Sequence, residues 1–548
     1  MRILFITTAH NGLSQRASIE LGELGHKVDI HITESEEKMI KIVDHHKPDL
    51  ILAPFLKMAI PRSIWQNYTV FIVHPGIKGD RGPSSLDWAI MKEEKEWGVT
   101  VLQADEEMDA GDIWSSHNFQ MRPISKSCLY RHEVTNSAMI AIHEAIQKFE
   151  KGVKPEPLNY DNSEIKGRLQ ASIKTKDRTI DWNSSSDEII KRIRAADSNP
   201  GVLDQILGVD YRLFGAHKEG LLKGEAGELI AHRDGAICRA TGDGAIWITH
   251  LKSKNGIKLP ATEVLKEKTS DLTESKISPF DTYLGLETFQ EIKFHQEKKV
   301  GFLSFDFYNG AMSKDQCIRL RDTILEIKKR DINVLVLLGG HDIWSNGIHL
   351  NIIENAENKA QESWENINAI DDLIYEIINL EDIYVVSAMQ GNAGAGGVLL
   401  ALAADTVYAR KGIVLNPHYR NMGGLYGSEY WTYLLPKRVG FKKALELTES
   451  CLAIGTRYST EICLIDDDFG LSLKEFTDII NQKAHSLSNS TDLSSLIKTK
   501  NEIRKRDEAF KPLKNYRDHE LNLMKINFFG ANDAYHKARH DFVYKKNA

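Results

Sequence analysis

The 548-residue chain has little cysteine, and what it has is scattered. The five cysteines include no CxxC pair and do not cluster with histidine; they are Cys128, Cys238, Cys317, Cys451 and Cys463. This pattern argues against a disulfide framework and against a structural zinc site, so we expect no bound metal. Unpaired cysteines are typical of a reducing compartment, and we therefore expect a cytoplasmic protein.

Charge of one sign and long apolar runs are also missing. The 70 basic and 77 acidic residues give a formal charge of -7, and no long block of one sign interrupts the chain. No nucleic acid or anionic membrane is therefore expected as a partner. No stretch approaches the roughly 20 apolar residues that a membrane helix needs. The opening MRILFITTAHNGL is interpreted as a first β-strand rather than a signal peptide, because polar residues soon interrupt it.

The composition and length predict a folded chain of two or three domains. Hydrophobic residues make up 42% and charged residues 27%, as in ordinary globular proteins. In the first hundred residues, apolar runs such as Val28–Ile32 and Leu50–Phe55 alternate with polar segments of helical length. This alternation predicts an α/β domain over residues 1–162, with a doubly wound, Rossmann-like parallel sheet.

Three further regions follow. Residues 163–265 combine one amphipathic helix with short strands and Gly turns, which predicts a small β-rich, OB-like subdomain. Residues 266–285 are charged and rich in Ser and Thr, so we interpret them as a linker. A second α/β pattern begins near residue 286, and its last hundred residues are predicted to be helical.

The first candidate site lies where the fourth predicted strand ends. His74 follows the apolar run Val70–Val73, and the next two residues, Pro75 and Gly76, turn the chain. Ligands of open α/β sheets bind at such strand ends. Asp109 lies in a Gly-containing turn after the next predicted strand. A histidine oriented by a carboxylate is the usual equipment for proton transfer near neutral pH.

These motifs resemble the folate-dependent formyltransferases and hydrolases. The segments HPGIKGDRGPSSLDWAI and WGVTVLQADEEMDAGDIW carry the resemblance, and KTKDRTIDWNSSSDEIIKRIRAADSNPG is similar to the C-terminal subdomain of the methionyl-tRNA formyltransferase type. The resemblance implies N10-formyltetrahydrofolate as the formyl donor, with His74 and Asp109 as catalytic residues. The family's usual Asn two residues before the His is replaced by Ile72. Either a backbone N–H replaces that donor, or the formyl acceptor is a better nucleophile than an amine, such as a thiol.

Gln15, after the first strand, is a candidate contact for a ligand phosphate. The alternative is an ordinary position at a helix N-terminus.

The second candidate site combines two glycine-containing loops. The strand over residues 333–338 is followed by SNGIHL, and the strand over residues 383–388 by QGNAGAGG and an apolar helix. A Gly-rich turn that opens a buried helix points free backbone N–H groups into a cavity. The alternatives are close helix–strand packing and a phosphate loop, although the Walker lysine is missing.

The paired loops resemble the crotonase, or enoyl-CoA hydratase/isomerase, superfamily. The resemblance implies a crotonase-like α/β domain over residues 286–548 that binds a coenzyme A thioester. It also implies that the N–H groups of Ile348 and Gly396 hold the thioester oxygen. The two glutamates of the family's hydratases fall on Leu399 and Tyr419, so hydration is not expected.

Other residues near the second site have candidate roles. Tyr419 and Glu429 are predicted to form a proton-handling catalytic pair. The alternatives are a buried aromatic for Tyr419 and a residue favoured by the helix dipole for Glu429. Asn309 and Arg539 are candidate contacts for coenzyme A, with a turn former and a solvated helix charge as the respective alternatives.

The fusion of the two regions resembles the hydrogenase maturation factors of the HypX (HoxX) family. That resemblance implies formyl transfer to coenzyme A, followed by decarbonylation of formyl-CoA to carbon monoxide for the iron of a [NiFe]-hydrogenase. The expected partners are small-molecule substrates and [NiFe]-hydrogenase maturation proteins.

Three alternative functions stay open. One is a formyltetrahydrofolate hydrolase or formyltransferase with a degenerate CoA-binding domain. The others are a transferase or hydratase acting on another acyl-CoA, and a chaperone that is not an enzyme.

Overall fold

The computed structural model describes residues 1–281 and 287–546. The chain divides into two compact units, and the division falls inside the predicted β-rich region over residues 163–265. The first unit contains Met1–Ile230 and Ile237–Lys254, and the second contains Ala231–Ala236 and Asn255–Ala548. Residues 282–285 of the predicted linker lie outside the described part of the chain.

A six-stranded sheet forms the centre of the first unit, in the order β2-β1-β3-β4-β5-β6. Strands β1 to β4 are parallel, whereas β5 runs antiparallel to both β4 and β6. The predicted doubly wound parallel sheet is confirmed in these four strands, and the antiparallel strands β5 and β6 extend it. Apolar periodicity identifies a strand without setting its direction. The strands are β1 Arg2–Thr7, β2 Lys27–Ile32, β3 Leu50–Ala53, β4 Val70–His74, β5 Glu96–Gln103 and β6 Ile113–Gln120.

Helices cover this sheet, and side chains next to their first residues cap some of them. In the first helix, the Asn11 side chain accepts the N–H of Ser14, and Leu13, Ala17 and Leu21 are buried at a spacing of four residues. That spacing places one apolar face on the sheet. A π-helical turn, Tyr130–Val134, precedes the longest of these six helices. The helices are α1 Gly12–Glu23, α2 Glu36–His46, α3 Arg62–Trp65, α4 Ser85–Met91, α5 Lys126–Leu129 and α6 Thr135–Glu150.

The remainder of the first unit is the predicted β-rich region. Antiparallel strands follow one amphipathic helix, and four of them are neighbours in the order β10-β11-β8-β7. The elements are α7 Ser186–Ala196, β7 Val202–Ile206, β8 Val209–Glu219, β9 Leu229–Arg233, β10 Ala236–Ala240 and β11 Ala245–Ser253.

The second unit contains two sheets. Its main sheet has the order β14-β15-β16-β18-β20-β23, in which only β14 is antiparallel to its neighbour, and a smaller sheet has the order β17-β19-β21-β22. The strands of these two sheets are β14 Ile292–Glu297, β15 Val300–Phe305, β16 Val334–Gly339, β17 Ile343–Ser345, β18 Tyr384–Met389, β19 Asn392–Gly394, β20 Thr406–Arg410, β21 Val414–Asn416, β22 Ile454–Gly455 and β23 Asp467–Phe469. Two short strands, β12 Leu259–Pro260 and β13 Thr273–Glu274, precede them in the chain and belong to neither sheet.

Helices surround these sheets and form the C-terminal region, as predicted. Within residues 1–281 and 287–546, no helix is long and apolar enough to cross a membrane. The helices are α8 Ala261–Leu265, α9 Lys314–Ile327, α10 Leu350–Asn355, α11 Lys359–Ile378, α12 Gly396–Leu402, α13 Trp431–Val439, α14 Phe441–Ser450, α15 Thr456–Glu461, α16 Leu473–Ser488, α17 Leu493–Phe510, α18 Leu513–Phe529 and α19 Ala534–Val543.

Candidate functional site

His74 is the last residue of β4, and side chains of β5 fix the turn that follows it. Trp97 donates its indole N–H to the carbonyl of Pro75 over 3.0 Å, and Thr100 donates its hydroxyl to the carbonyl of Gly76 over 2.8 Å. The turn is therefore held by buried donors of the neighbouring strand. It presents His74 at the carboxyl edge of the parallel strands, where α/β sheets bind ligands.

The His74 ring lies between two carboxylates. Its Nδ1 is 3.5 Å from Oδ2 of Asp109, as the sequence predicts, and its Nε2 is 2.8 Å from Oδ2 of Asp80. The side chain of His74 is 4% exposed and that of Asp109 is 12% exposed. Each ring nitrogen of His74 thus has a carboxylate partner. A histidine held in this way is the usual equipment for proton transfer near neutral pH.

Asp109 reaches the ring from a strained turn. Its backbone has a φ of 58°, in the left-handed region that few residues other than glycine adopt. The Ala110 N–H closes the turn by donating to the carbonyl of Glu107 over 3.2 Å. At the next residue, Gly111, a Cβ would overlap the backbone carbonyl of Gln103. Close contact with the end of β5 thus requires this glycine and directs Asp109 at His74.

Asp80 is a site residue that the sequence analysis missed. It lies six residues after His74, is 2% exposed, and is held by the side-chain N–H of Gln170, which donates to Oδ1 over 2.8 Å. A Cβ at Gly76 would come within 2.5 Å of both Asp80 Oδ2 and His74 Nε2. Asp80 also lines a cavity of about 1070 Å³. The available signal was a carboxylate within the turn after His74.

Two other residues singled out in this region, Ile72 and Gln15, lie in regular secondary structure. Ile72 is half-buried in β4 and brings no amide donor, so the expected departure from the formyltransferase pattern stands. Gln15 lies in α1 and donates its side-chain N–H to the carbonyl of His10 over 3.2 Å. Its contact with a ligand phosphate stays a prediction.

In the second unit, parallel pairing of β17 with β19 brings the two glycine-containing loops together. A Cβ at Gly347 would lie 3.3 Å from the backbone nitrogen of Gly396. Trp344 joins the loops by donating its indole N–H to the carbonyl of Gly397 over 2.8 Å. Among the described residues, the N–H groups of Ile348 and Gly396 have no protein acceptor. The two predicted oxyanion donors therefore lie on adjacent loops, with N–H groups that no described acceptor occupies.

Tyr419 and Glu429 form the predicted pair beside these donors. The Tyr419 hydroxyl donates to Glu429 Oε2 over 3.0 Å, and the N–H of Ser428 donates to the same oxygen over 3.0 Å. The other oxygen, Oε1, lies against Gly396, where a Cβ would overlap it. A Cβ at Gly427 would likewise overlap the ring of Tyr419. Glycine at both positions is what lets the pair approach the loop.

Burial keeps both members of the pair protonated. Loss of hydration, strengthened by the charge of Asp371, raises the pKa of Glu429 to about 8. Burial and the neighbouring Glu429 carboxyl raise the pKa of the Tyr419 phenol well above its ordinary value. At neutral pH the site therefore contains a carboxylic acid rather than a carboxylate, as an acid catalyst requires.

Two more buried carboxyls adjoin this pair, and the sequence analysis missed both. Asp371 of α11 accepts the N–H of Glu429 over 2.8 Å, and Glu520 of α18 accepts the N–H of Thr432 over 2.8 Å. Both are 0% exposed. The Nε of Arg517 lies 3.7 Å from Asp371. In sequence these acids look like solvated helix charges, and no local pattern marks them as buried.

The remaining two candidates, Asn309 and Arg539, have protein partners in the structure. Asn309 has a φ of 57° in a tight turn, and its carbonyl accepts the side-chain N–H of Asn346 over 2.9 Å. Arg539 is 1% exposed, and its Nε lies 2.8 Å from Oε2 of Glu354. Its guanidinium is thus engaged in a buried ion pair rather than solvated. Their contacts with coenzyme A stay predictions.

Three stretches of the chain match known families. Residues 12–145 match the formyl transferase family, and residues 172–269 match the formyl transferase C-terminal domain. Residues 309–547 match the enoyl-CoA hydratase/isomerase family. The methionyl-tRNA formyltransferase of Bacillus thuringiensis is 22% identical over 225 residues, which cover 40% of this chain and 71% of that enzyme.

One relative matches both regions. The hydrogenase maturation factor HoxX of Bradyrhizobium diazoefficiens is 43% identical over 550 residues, covering 100% of this chain and 95% of that protein. The chain belongs to the HypX/HoxX family of hydrogenase maturation factors. The crystal structure of HypX from Aquifex aeolicus in complex with tetrahydrofolic acid shows the same fold, with a TM-score of 0.96 and 45% identity over 100% of this chain and 96% of that one. HypX/HoxX proteins thus combine a formyltransferase-like region with a crotonase-like domain, as the motifs predicted.

Proposed function

We propose that this protein is a bifunctional enzyme that makes carbon monoxide for the iron centre of a [NiFe]-hydrogenase. Its first reaction transfers the formyl group of N10-formyltetrahydrofolate to the thiol of coenzyme A. Its second reaction converts formyl-CoA to carbon monoxide and coenzyme A. Membership in the HypX/HoxX family supports the role in hydrogenase maturation, and HypX of Aquifex aeolicus has been crystallised with tetrahydrofolic acid. [NiFe]-hydrogenase maturation proteins are the proposed partners.

The first reaction belongs to His74 and its two carboxylates. The coenzyme A thiol attacks the formyl carbon, the C–N bond to the folate breaks, and the thiol proton passes through His74 to the departing nitrogen. Asp109 and Asp80 orient the ring and stabilise it when it is protonated. A thiol acceptor also accounts for Ile72, because a sulfur nucleophile needs less stabilisation of the formyl oxygen than an amine does.

The second reaction belongs to Tyr419 and Glu429. The N–H groups of Ile348 and Gly396 hold the formyl oxygen of formyl-CoA. One proton leaves the formyl carbon and one reaches the sulfur as the C–S bond breaks, which releases carbon monoxide. Because Oε1 of Glu429 lies against Gly396 while its Oε2 is bound to Tyr419, Oε1 is positioned to protonate the sulfur. The proton from the formyl carbon restores the pair, so atoms and charges balance.

The observation that carries the proposal is the Tyr419–Glu429 pair, packed against Gly396 where hydratases of this superfamily use two glutamates. Water addition needs a base that activates water, whereas decarbonylation needs an acid for the departing thiolate. The pKa of Glu429, raised to about 8 by burial, suits the acid. With Leu399 at the position of the other glutamate, the pair is suited to moving protons rather than to activating water.

The test is carbon monoxide release from the purified full-length protein. The protein is incubated with N10-formyltetrahydrofolate, with and without coenzyme A, and carbon monoxide is trapped by ferrous haem. We expect carbon monoxide only with coenzyme A, and we expect its loss in both His74→Ala and Tyr419→Phe.

Supplying formyl-CoA directly separates the two steps. The His74→Ala variant should then release carbon monoxide at the wild-type rate, and Tyr419→Phe should not. Formate without carbon monoxide would overturn the proposal in favour of a formyltetrahydrofolate hydrolase with a degenerate CoA-binding domain. Full maturation activity in cells carrying both substitutions would instead indicate a chaperone.

A further inference from the structure

Three buried carboxyls contact Ser428. Its Oγ lies 2.8 Å from Oδ2 and 3.1 Å from Oδ1 of Asp371, and 3.4 Å from Oε2 of Glu520. The third carboxyl, that of Glu429, accepts the backbone N–H of Ser428. All three acids are at most 1% exposed, and the Nε of the cation Arg517 lies 3.7 Å from Asp371. Three ionised carboxylates beside one cation would be very costly in such a site.

The hydrogen bonds limit where the protons of this cluster can lie. Oε1 of Glu520 accepts both the N–H and the hydroxyl of Thr432, so a proton on Glu520 would be on Oε2, the oxygen that faces Ser428. The Ser428 hydroxyl has one proton and lies closer to Asp371 Oδ2, at 2.8 Å, than to Glu520 Oε2, at 3.4 Å. If Ser428 donates this proton to Asp371, Glu520 can hydrogen-bond to Ser428 only as a protonated donor.

The same reasoning applies to Glu429. Its Oε2 accepts the hydroxyl of Tyr419 and the N–H of Ser428, which leaves Oε1, against Gly396, as the protonated oxygen. Asp371 meanwhile accepts the backbone N–H of Glu429. Glu429 and Tyr430 have φ values of 62° and 57°, so two successive non-glycine residues are in the left-handed region. That costly backbone is anchored by the Asp371 carboxylate.

We propose that Asp371 and Glu520 are positioning residues for Glu429. Asp371, ionised beside Arg517, fixes the backbone that presents Glu429 to Gly396, and its negative charge keeps the proton on Glu429. Glu520 stays protonated and orients the Ser428 hydroxyl toward Asp371. This inference rests on the proposed decarbonylation for its kinetic consequence, whereas the protonation states hold independently of any activity.

The charges around Glu429 favour its protonated form. Tyr419 faces its carboxyl directly, Asp371 and Asp372 come from α11, and Glu520 and Arg517 come from α18. On α9, Cys317 has a thiol whose pKa is raised by burial and by the charge of Glu429. Burial, with the charge of Asp371, raises the pKa of Glu520 well above its ordinary value, whereas the pKa of Asp371 rises to about 6. Asp371 is therefore the member of the cluster that ionises first.

The kinetic test is the pH profile of carbon monoxide release from supplied formyl-CoA. Asp371→Asn keeps the oxygen that accepts the Glu429 N–H and removes the charge, so the alkaline limb of the profile should move to lower pH. Asp371→Ala also removes the anchor and should lower kcat at every pH by about tenfold or more. The matched control is Glu376→Gln, five residues later on the same helix, which should leave the profile in place. An unshifted limb in Asp371→Asn would overturn the proposal.

Infrared spectroscopy detects the protonation states of these carboxyl groups without requiring enzyme turnover. Infrared spectra of the full-length protein at neutral pH should contain carbonyl bands of protonated carboxylic acids that shift in D₂O. Glu520→Gln and Glu429→Gln should each remove one band, and Asp371→Asn should remove none. Spectra in which Glu520→Gln removes no band would overturn the assignment. If the wild type releases no carbon monoxide yet these bands are present, the proposed function fails and the protonation states stand.

Discussion

The two candidate sites hold their titratable groups in different ways. At the first, His74 ends a strand and has a carboxylate, Asp80 or Asp109, at each ring nitrogen. At the second, the acids Glu429 and Tyr419 lie in contact with each other, and loss of hydration raises the pKa of both. The first site thus surrounds a histidine with negative charge, whereas burial at the second favours the protonated acids.

The largest expected effect is the loss of carbon monoxide release when Glu429 is replaced. Glu429→Gln keeps the size of the side chain and cannot exchange a proton, so carbon monoxide release from formyl-CoA should fall by about 10²–10⁴-fold. Formation of formyl-CoA from the folate, followed by mass spectrometry, should be unchanged. Glu461→Gln, an exposed glutamate of α15, serves as the control. Equal loss of both reactions would contradict the separation of the two sites.

The next largest effect is expected when alanine replaces Gly396 and adds one methyl group beside Glu429. In Gly396→Ala the new Cβ overlaps Glu429 Oε1, so the carboxyl must move away from the oxyanion donors. We expect a loss of about 10²-fold in kcat for carbon monoxide release, and overpacking should lower the unfolding free energy by about 1–3 kcal/mol. In the control Gly22→Ala, on α1, the Cβ meets no atom within 4 Å. Unchanged kcat in Gly396→Ala would place Glu429 outside the reaction.

A smaller effect is expected at the first site. Asp80→Asn retains an oxygen near His74 and removes the charge, so formyl transfer should fall about tenfold, the equivalent of one charge-assisted hydrogen bond. Carbon monoxide release from supplied formyl-CoA should not change. Asp105→Asn, on the loop after β5, is the control. Formyl transfer at the wild-type rate in Asp80→Asn would show that the charge of Asp80 does not contribute to the reaction, which would leave Asp109 as the contributing carboxylate.

The smallest effect concerns stability. The pKa of Glu429 is raised from 4.5 to about 8 in the folded state, so between these values the unfolded chain releases a proton that the folded chain keeps. Raising the pH through this window therefore lowers the free energy of unfolding, and the stabilisation is fully present only below the unfolded pKa. Denaturant titrations at about pH 5 and about pH 8 should show a smaller decrease in Glu429→Gln than in the wild type. An identical decrease would mean that Glu429 is ionised in the folded state.

Local patterns allowed the motif residues to be predicted. His74 follows an apolar strand, Asp109 occupies a Gly-containing turn, and Gly396 opens an apolar helix, and each feature depends on a few neighbouring residues. The direction of β5 was not predicted, because the apolar periodicity of a strand is the same whether it runs parallel or antiparallel to its neighbour. Asp80 was missed although it is only six residues from His74, since the path of a turn is not encoded by hydrophobic spacing.

The sequence by itself determined the two α/β regions, the strand-end histidine, the glycine loops and the pairing of Tyr419 with Glu429 as candidates. Only the tertiary structure decided that Asp371, 58 residues before Glu429, and Glu520, 92 residues after Ser428, converge on one hydroxyl. Short-range periodicity cannot distinguish a buried acid from a solvated one on a helix. Burial depends on which distant elements pack together, and burial is what sets the protonation of this site.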